Sequence, residues 1–345
     1  MRISEFDFQL PSELIAQTPP EKRESSQMLI VDRAAETLQD EQFSNIPQFL
    51  KKTDVLVLNN TKVFPARLFG TSETGSKVEV FLVRELENKT WETLARPAKR
   101  LKIGKKIRFG DDLTATVLEK NADGHIFIEF RAEKDFNEIL EEIGHTPLPP
   151  YIKRESDNGN FEQDRERYQT VFARNRGAIA APTAGLHFTP QILQQIKNSG
   201  VKIVEITLHV GYGTFEPVRV SDLAEHKVMP ERYDISEAAA EILNEAKSEN
   251  RRIIAVGTTT TRALESSVDE TGKIIAGCGL ADLTVVPNYK FRVISGLLTN
   301  FHLPQSSLLV LVSTFAGYNL TFKAYRHAVE SRYRFYSYGD CMLIL

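Results

Sequence analysis

Thr189-Pro190-Gln191-Ile192-Leu193-Gln194-Gln195-Ile196-Lys197-Asn198-Ser199-Gly200, followed at once by Val201-Lys202-Ile203-Val204-Glu205-Ile206-Thr207-Leu208, is a complete helix-then-strand unit. Thr189 can cap the helix, Pro190 suits its first position, and Ile192, Leu193 and Ile196 form one apolar stripe that stops at Gly200. The β-branched run that follows reads as a strand. The same alternation recurs downstream. An alanine-rich helix is expected over residues 237–247, a strand over 253–256 and a helix opening within 258–262. Strands are expected near 283–286 and 292–298, and helices near 307–315 and 322–331. Strands alternating with helices define an α/β fold.

Upstream, Asp54-Val55-Leu56-Val57-Leu58 has the composition of a buried strand and stops at the turn-forming pair Asn59-Asn60. A short helix is expected from Pro11 to Ile15. Between these α/β regions the period changes to two. Residues 77–81, 91–94, 106–109, 114–117 and 125–130 alternate as short strands, separated by Gly75, Gly104, Gly110 and Gly124, the pattern of a small antiparallel barrel. Residues 144–167 read as loop and charged, helix-poor sequence. The architecture is therefore a large α/β domain built from both chain ends (1–62 and 147–345) with a small antiparallel β-barrel (63–146) inserted between them.

The 345-residue length fits about two domains, and 41% hydrophobic with 26% charged residues is ordinary globular composition. No stretch approaches the roughly 20 apolar residues that span a bilayer, and the N-terminus has no apolar signal core. Cys278 and Cys341 form no metal or redox spacing, so a cytoplasmic setting is expected. A net charge of −3 speaks against a generally basic nucleic-acid binder but leaves room for a local patch. Arg96, Lys99, Arg100, Lys102, Lys105, Lys106 and Arg108 fall within thirteen residues that contain no acid. A solvated surface hairpin and an RNA contact both fit that run.

Four segments hold polar groups that packing does not require: residues 180–188, 207–215, 257–262 and 299–304. Each follows a strand or joins a strand to a helix, and α/β sheets bind ligands at the carboxyl ends of strands. Gly211 and Gly213 permit close backbone approach. The four threonines after Gly257 put hydroxyls and free helix N–H groups in one place, a mount for carboxylate or phosphate. Taken singly, each segment is also what ordinary capping and turns produce. Together they place three of seven histidines, His187, His209 and His302, in glycine-, threonine- or asparagine-bearing elements. No histidine pair has metal-ligand spacing, and phosphate-binding loops, dinucleotide fingerprints and nucleophile elbows are absent from the sequence. Metal is not expected.

At these segments the sequence closely resembles the S-adenosylmethionine:tRNA ribosyltransferase-isomerase family of queuosine biosynthesis. The resemblance spans nearly the whole chain. It includes Leu58-Asn59-Asn60-Thr61-Lys62-Val63-Phe64-Pro65-Ala66-Arg67-Leu68, Pro147-Leu148-Pro149-Pro150-Tyr151-Ile152, Tyr168-Gln169-Thr170-Val171-Phe172, and the closing Tyr333-Arg334-Phe335 and Tyr338-Gly339-Asp340. Gln27 replaces a usual arginine, Met229 stands where a second histidine is common, and Val286-Pro287-Asn288-Tyr289 loosens a Tyr-Pro-Gly-Tyr motif.

The resemblance implies an α/β domain with an inserted barrel. It implies as substrates S-adenosylmethionine and tRNA carrying 7-aminomethyl-7-deazaguanine at the wobble position, giving epoxyqueuosine-tRNA, adenine and methionine. S-adenosylmethionine is consumed, so no separate cofactor is implied; a monomer without membrane attachment is expected. The reaction needs a base at the ribosyl C5′ next to the sulfonium and an acid for departing adenine. His187 and His209 are the expected pair and His302 the next candidate. Thr183, Gly185, Gly211, Gly213, Thr214 and Asn300 are expected to line the substrate. Arg262 with Thr258 and Thr259 is expected to hold its carboxylate, unless Arg262 pairs with Glu265 on its own helix. Arg67 and the basic run are expected to meet tRNA phosphates. Two readings of other classes are a non-catalytic RNA-binding module and an S-adenosylmethionine-dependent tRNA methyltransferase.

Overall fold

The computed structural model describes residues 1–345 apart from Asn88, Asp123, 155–160 and 216–217, and apart from the side chains of Arg100, Thr214 and Phe215. In chain order the first strands are β1 (Gln27–Asp32), β2 (Thr37–Gln42), β3 (Val55–Asn59) and β4 (Thr61–Val63). The barrel strands follow: β5 (Arg67–Ser72), β6 (Lys77–Glu85), β7 (Thr90–Arg96), β8 (Lys106–Phe109), β9 (Leu113–Lys120) and β10 (Ile126–Ala132). Then come α1 (Phe136–Ile143), α2 (Phe161–Arg167), β11 (Asn175–Ala178), α3 (Pro190–Asn198), β12 (Lys202–Leu208), β13 (Glu231–Ile235) and α4 (Glu237–Ser248). The chain ends with β14 (Ile253–Val256), α5 (Thr258–Ser266), β15 (Gly277–Ala281), β16 (Gly296–Asn300), α6 (Ser307–Ala316), α7 (Tyr318–Glu330) and β17 (Cys341–Ile344).

Nine strands form one sheet in the order β15-β13-β12-β3-β14-β16-β17-β1-β2. Its centre, β12-β3-β14-β16, is parallel throughout. Successive side chains point to opposite faces, so a doubly covered sheet needs apolar residues at every position. That is what the central strands contain. Val55, Val57, Ile253, Ala255 and Leu297 join the core on the side of α4 to α7, while Leu56, Leu58, Ile254, Val256 and Leu298 join the core that includes Ile192 and Ile196 of α3. The α3 unit forms as its sequence dictates: the Thr189 side chain accepts the Ile192 N–H at 3.2 Å, and Pro190 opens the helix.

The inserted strands close into a barrel, β10-β7-β6-β5-β8-β9, around Leu68, Val80, Phe109, Val117, Ile128 and Phe130. Helix α1, capped by the Asp135 carboxylate, packs Ile139 and Leu140 into this core. An α/β domain from both chain ends with an inserted barrel is thus the observed fold.

Some local expectations shift. The run at 283–286 is not a strand; its Val285 is buried without joining the ladder, and the sheet edge is β15 instead. The strand expected at 292–298 begins only at Gly296, because the Glu265 carboxylate accepts the N–H groups of Arg292, Val293 and Ile294. Helix α2 occupies part of the stretch read as helix-poor, and the segment at 11–15 is one turn of 3-10 helix. The basic run is not confined to one hairpin: Arg96 lies on β7 opposite β6, and Lys106 and Arg108 lie on β8 in the β8–β9 hairpin. Strands β7 and β8 are separated by β6 and β5, so residues 97–105 cross over the barrel.

Candidate functional site

The carboxyl ends of the four central parallel strands lie side by side, and a polar network ties two of them together. Asn59 ends β3, and its amide spans to β12: Nδ2 donates to the Leu208 carbonyl at 2.9 Å while Oδ1 accepts the N–H groups of Leu208 at 3.0 Å and Thr61 at 3.1 Å. Asn60 Oδ1 accepts from the Thr207 hydroxyl at 2.7 Å and from Asn175 Nδ2 at 3.3 Å. These asparagines read as a turn signal in the sequence. Their side chains instead satisfy strand-end groups that a buried sheet edge would leave unpaired.

His209 follows directly. Its Nδ1 lies 2.8 Å from the Thr61 hydroxyl, and its backbone N–H donates to Arg232 O at 2.9 Å. Gly177 lies against the imidazole so closely that a Cβ there would stand 2.6 Å from the ring. The ring is half-buried, and desolvation, reinforced by Arg232, lowers its pKa below the ordinary histidine value. It is a neutral imidazole near pH 7.

His187 and His302 are deeper. His187 Nε2 lies 3.0 Å from Asn300 Oδ1, and Nδ1 lies 2.9 Å from the Ser26 hydroxyl. Asn300 donates its own NH2 to the Tyr336 carbonyl at 2.9 Å, so Oδ1 faces His187 as an acceptor and Nε2 carries the proton. Burial depresses the His187 pKa to about 4 and that of His302 to about 3. His302 Nε2 sits 2.9 Å from the Thr299 hydroxyl, and its backbone N–H donates to the Tyr325 hydroxyl at 3.0 Å.

One small cavity of about 50 Å³ draws on all four polar segments. Thr183 comes from the first, Val210 from the second, Thr258 and Thr259 from the third, and Asn300 and His302 from the fourth. Gly257, at φ 93°, makes the sharp turn from β14 into α5 and brings that helix's N-terminus to the cavity. The Thr259 hydroxyl is buried there with no hydrogen-bond partner among the described residues. Helix-start N–H groups favour an anion. The volume is far below the roughly 300 Å³ of a small-molecule site. Neither His187 nor His209 is among the lining residues: His209 directly precedes the cavity-lining Val210, and His187 faces a separate crevice beside Arg23, Arg167 and Tyr338.

Other expected site residues have partners of their own. Arg262 is buried in an ion pair with Glu231, not with Glu265, and also donates to the carbonyls of Ala281 at 2.6 Å, Leu283 at 3.2 Å and Met229 at 3.2 Å. Glu231 also accepts the Gly211 N–H at 2.8 Å. The glutamate retained in the altered segment at 226–231 is therefore the tie between Arg262 and the glycine loop. Gly213 packs against Met229, and Gly185 against Thr170 and Phe172. The Thr214 side chain lies outside the described ones.

Of the basic run, Arg96, Lys99, Lys102, Lys105, Lys106 and Arg108 are all exposed on the barrel; the Arg100 side chain is outside the described ones. Lys105 pairs with Glu73 at 3.1 Å, and Arg67 pairs with Glu79 at 2.6 Å. Lys120 Nζ holds the crossover by donating to the carbonyls of Ala98 and Leu101, both at 2.7 Å. Among the described residues, no group of three or more His, Cys, Asp or Glu is placed to hold a metal, and no helix is long and apolar enough to cross a membrane.

A nine-stranded α/β sheet with a barrel insertion and a small polar cavity at its parallel strand ends defines the structural class. A crystal structure of S-adenosylmethionine tRNA ribosyltransferase from Thermotoga maritima is similar to it, with 34% identity over 99% of this chain and 100% of that one and a TM-score of 0.56. The model of the queuosine biosynthesis protein family matches residues 3–344. Proteins named S-adenosylmethionine:tRNA ribosyltransferase-isomerase from Syntrophotalea carbinolica and Desulforamulus reducens are each 48% identical over the full length of both chains. The chain belongs to this queuosine biosynthesis family and is an enzyme of its ribosyltransferase-isomerase class.

Proposed function

We propose that the protein transfers and isomerises the ribosyl moiety of S-adenosylmethionine onto 7-aminomethyl-7-deazaguanine at the tRNA wobble position, yielding epoxyqueuosine-tRNA, adenine and methionine. The observation that carries this reading beyond the family match is the convergence of four separate polar segments on one cavity at the parallel strand ends. In this reading the α5 N-terminus, with Thr258 and Thr259, receives the methionine carboxylate, and Asn300 and Thr183 line the substrate.

His209 and His302 are the proton-transfer groups. A neutral imidazole has a lone pair to take a proton, and the ring that takes it becomes an acid for adenine. Burial lowers the His302 pKa to about 3, so His302 is a weak base and a strong acid once protonated, and His209 is assigned as the base. Thr61 holds His209 through Nδ1, and His209 directly precedes the cavity-lining Val210, so in this reading its Nε2 is the nitrogen that meets substrate. His187, with both ring nitrogens engaged, acts through Asn300 as a positioning residue. Arg262 is structural in this scheme: four of its five N–H groups are spent on Glu231, Leu283, Met229 and Ala281. S-adenosylmethionine serves as substrate, without a further cofactor. The 50 Å³ cavity must widen to admit it, which places loop movement before chemistry.

Incubation with S-adenosylmethionine and precursor tRNA, followed by mass analysis of nucleosides and small products, tests the whole scheme. Adenine and methionine should appear in step with the epoxyqueuosine nucleoside. Release of S-adenosylhomocysteine would mean methyl transfer instead, and tRNA binding without turnover would mean a binding module.

A further inference from the structure

A space of about 490 Å³, far roomier than the cavity of the site, lies between the barrel and the segment 148–154. Phe81 and Arg96 on the barrel form one wall; Ile152 and Lys153 form the other, with Tyr212 between. Leu148, Tyr151 and Ile152 pack on the core of the large domain, whereas Phe81 and Tyr212 pack on the barrel core. Both domains therefore shape it.

Its chemistry is specific. Phe81 and Tyr212 form an edge-to-face pair with centroids 5.9 Å apart, half-buried and facing the cleft. Among the described residues, Arg67, Arg96, Lys153 and Arg154 line it against a single carboxylate, Glu79. Arg67 neutralises Glu79 at 2.6 Å, and Asp164 holds Arg154 through two 2.8 Å bonds. Arg96 and Lys153 remain, exposed and without an ion pair among the described residues. Two angled aromatic rings beside cations suit a base stacked on the face of one ring and met by the other at an angle, with its phosphates alongside, the recognition mode of single-stranded RNA. A rigid duplex would not need the aromatics.

The cleft is also placed to feed the site. Tyr151 lines the cavity of the site, and the next residue, Ile152, lines the cleft; Val210 lines the cavity and Tyr212 the cleft. Two stretches of chain therefore separate the two spaces. We propose that this interdomain cleft seats an unpaired loop nucleotide of the RNA substrate, stacked on Phe81 and Tyr212 with its phosphates on Arg96 and Lys153. The crossover cations at 99–108 then serve the flanking backbone.

This inference rests on the reading of the protein as a tRNA-modifying enzyme, and the test separates the two. The probe is an anticodon stem-loop RNA carrying 2-aminopurine at one loop position after another. Wild-type enzyme should quench one position by stacking. Phe81→Ala should lose that quench and bind about 10-fold more weakly with an unchanged salt slope. Phe81→Tyr should restore both. Lys153→Ala and Arg96→Ala should each reduce the salt slope by about one phosphate contact while keeping the quench. Phe81→Ala that folds and binds and quenches like wild type overturns the proposal. If Phe81→Ala does not fold, unchanged salt slopes in both Lys153→Ala and Arg96→Ala overturn it instead. A wild-type enzyme that neither binds the stem-loop nor releases adenine with tRNA refutes the functional reading itself.

Discussion

The strand ends of the large sheet and the outer face of the barrel carry polar residues in opposite ways. At the strand ends, Asn59, Asn60, His187 and Asn300 are buried and bonded to one another or to backbone. On the barrel, Lys99, Lys102, Lys106 and Arg108 are exposed and extend into solvent. A buried polar group is stable only if satisfied, so the first region has its geometry set before substrate arrives. The second has charge without geometry, which suits a flexible polyanion. The two regions should therefore fail differently: lesions in one should stop chemistry or unfold the sheet edge, and lesions in the other should weaken RNA binding alone.

The largest expected effect tests the first half of that contrast. His209→Ala should slow adenine release by about 10²–10⁴-fold in single turnover, the usual range for a lost proton-transfer group, while far-UV circular dichroism stays that of wild type. A rate within about twofold of wild type would leave the neutral imidazole held by Thr61 as mere packing. Next in size, Glu231→Ala should cost about 3–5 kcal/mol in urea unfolding, because it strands the buried Arg262 without its carboxylate. If the loss is under about 1 kcal/mol, Arg262 has been released to another acceptor, and its structural assignment fails.

The barrel half is tested by reversing Lys102, Lys106 and Arg108 to glutamate together. Affinity for tRNA should fall about 100-fold at low salt, with a log–log salt slope shallower by about three. Unfolding and S-adenosylmethionine binding should not change, since none of the three side chains makes an ion pair among the described residues. A shift in melting temperature of several degrees would show that these cations hold the crossover, and the division between the two regions would blur.

Sequence periodicity carried the architecture because burial imposes it. The α3–β12 unit and the barrel's alternation each encode which face is wet. The run at 283–286 shows where that logic stops: apolar periodicity reports burial, and Val285 is buried without being in a strand. The site was legible as four segments but not as geometry. Asn59 looks like any turn asparagine, and only the register of β3 against β12 shows that it bridges two strands 149 positions apart. Likewise Arg262 and Glu231 are 31 positions apart, and nothing local announces their pairing. His187 carried a sequence signal as strong as that of His209, yet its Ser26 and Asn300 partners come from distant elements.

That difference between the two histidines can be titrated. Burial lowers the His187 pKa from 6.5 to about 4. Between those values the unfolded chain binds a proton at this position and the folded chain does not. Stability therefore rises with pH across the window, and it is lost on acidification from about 6.5 down to about 4, at up to about 1.4 kcal/mol per pH unit for one proton. His302 adds the same trend down to about 3. His187→Gln removes one titrating group, so its plot of unfolding free energy against pH should be flatter than wild type by about one proton over that window. Urea unfolding at a series of pH values measures this directly. Parallel lines would mean that His187 titrates nearly as freely folded as unfolded. It would then be open to solvent and substrate, and a proton-transfer role beside His209 would replace its role as the support for Asn300.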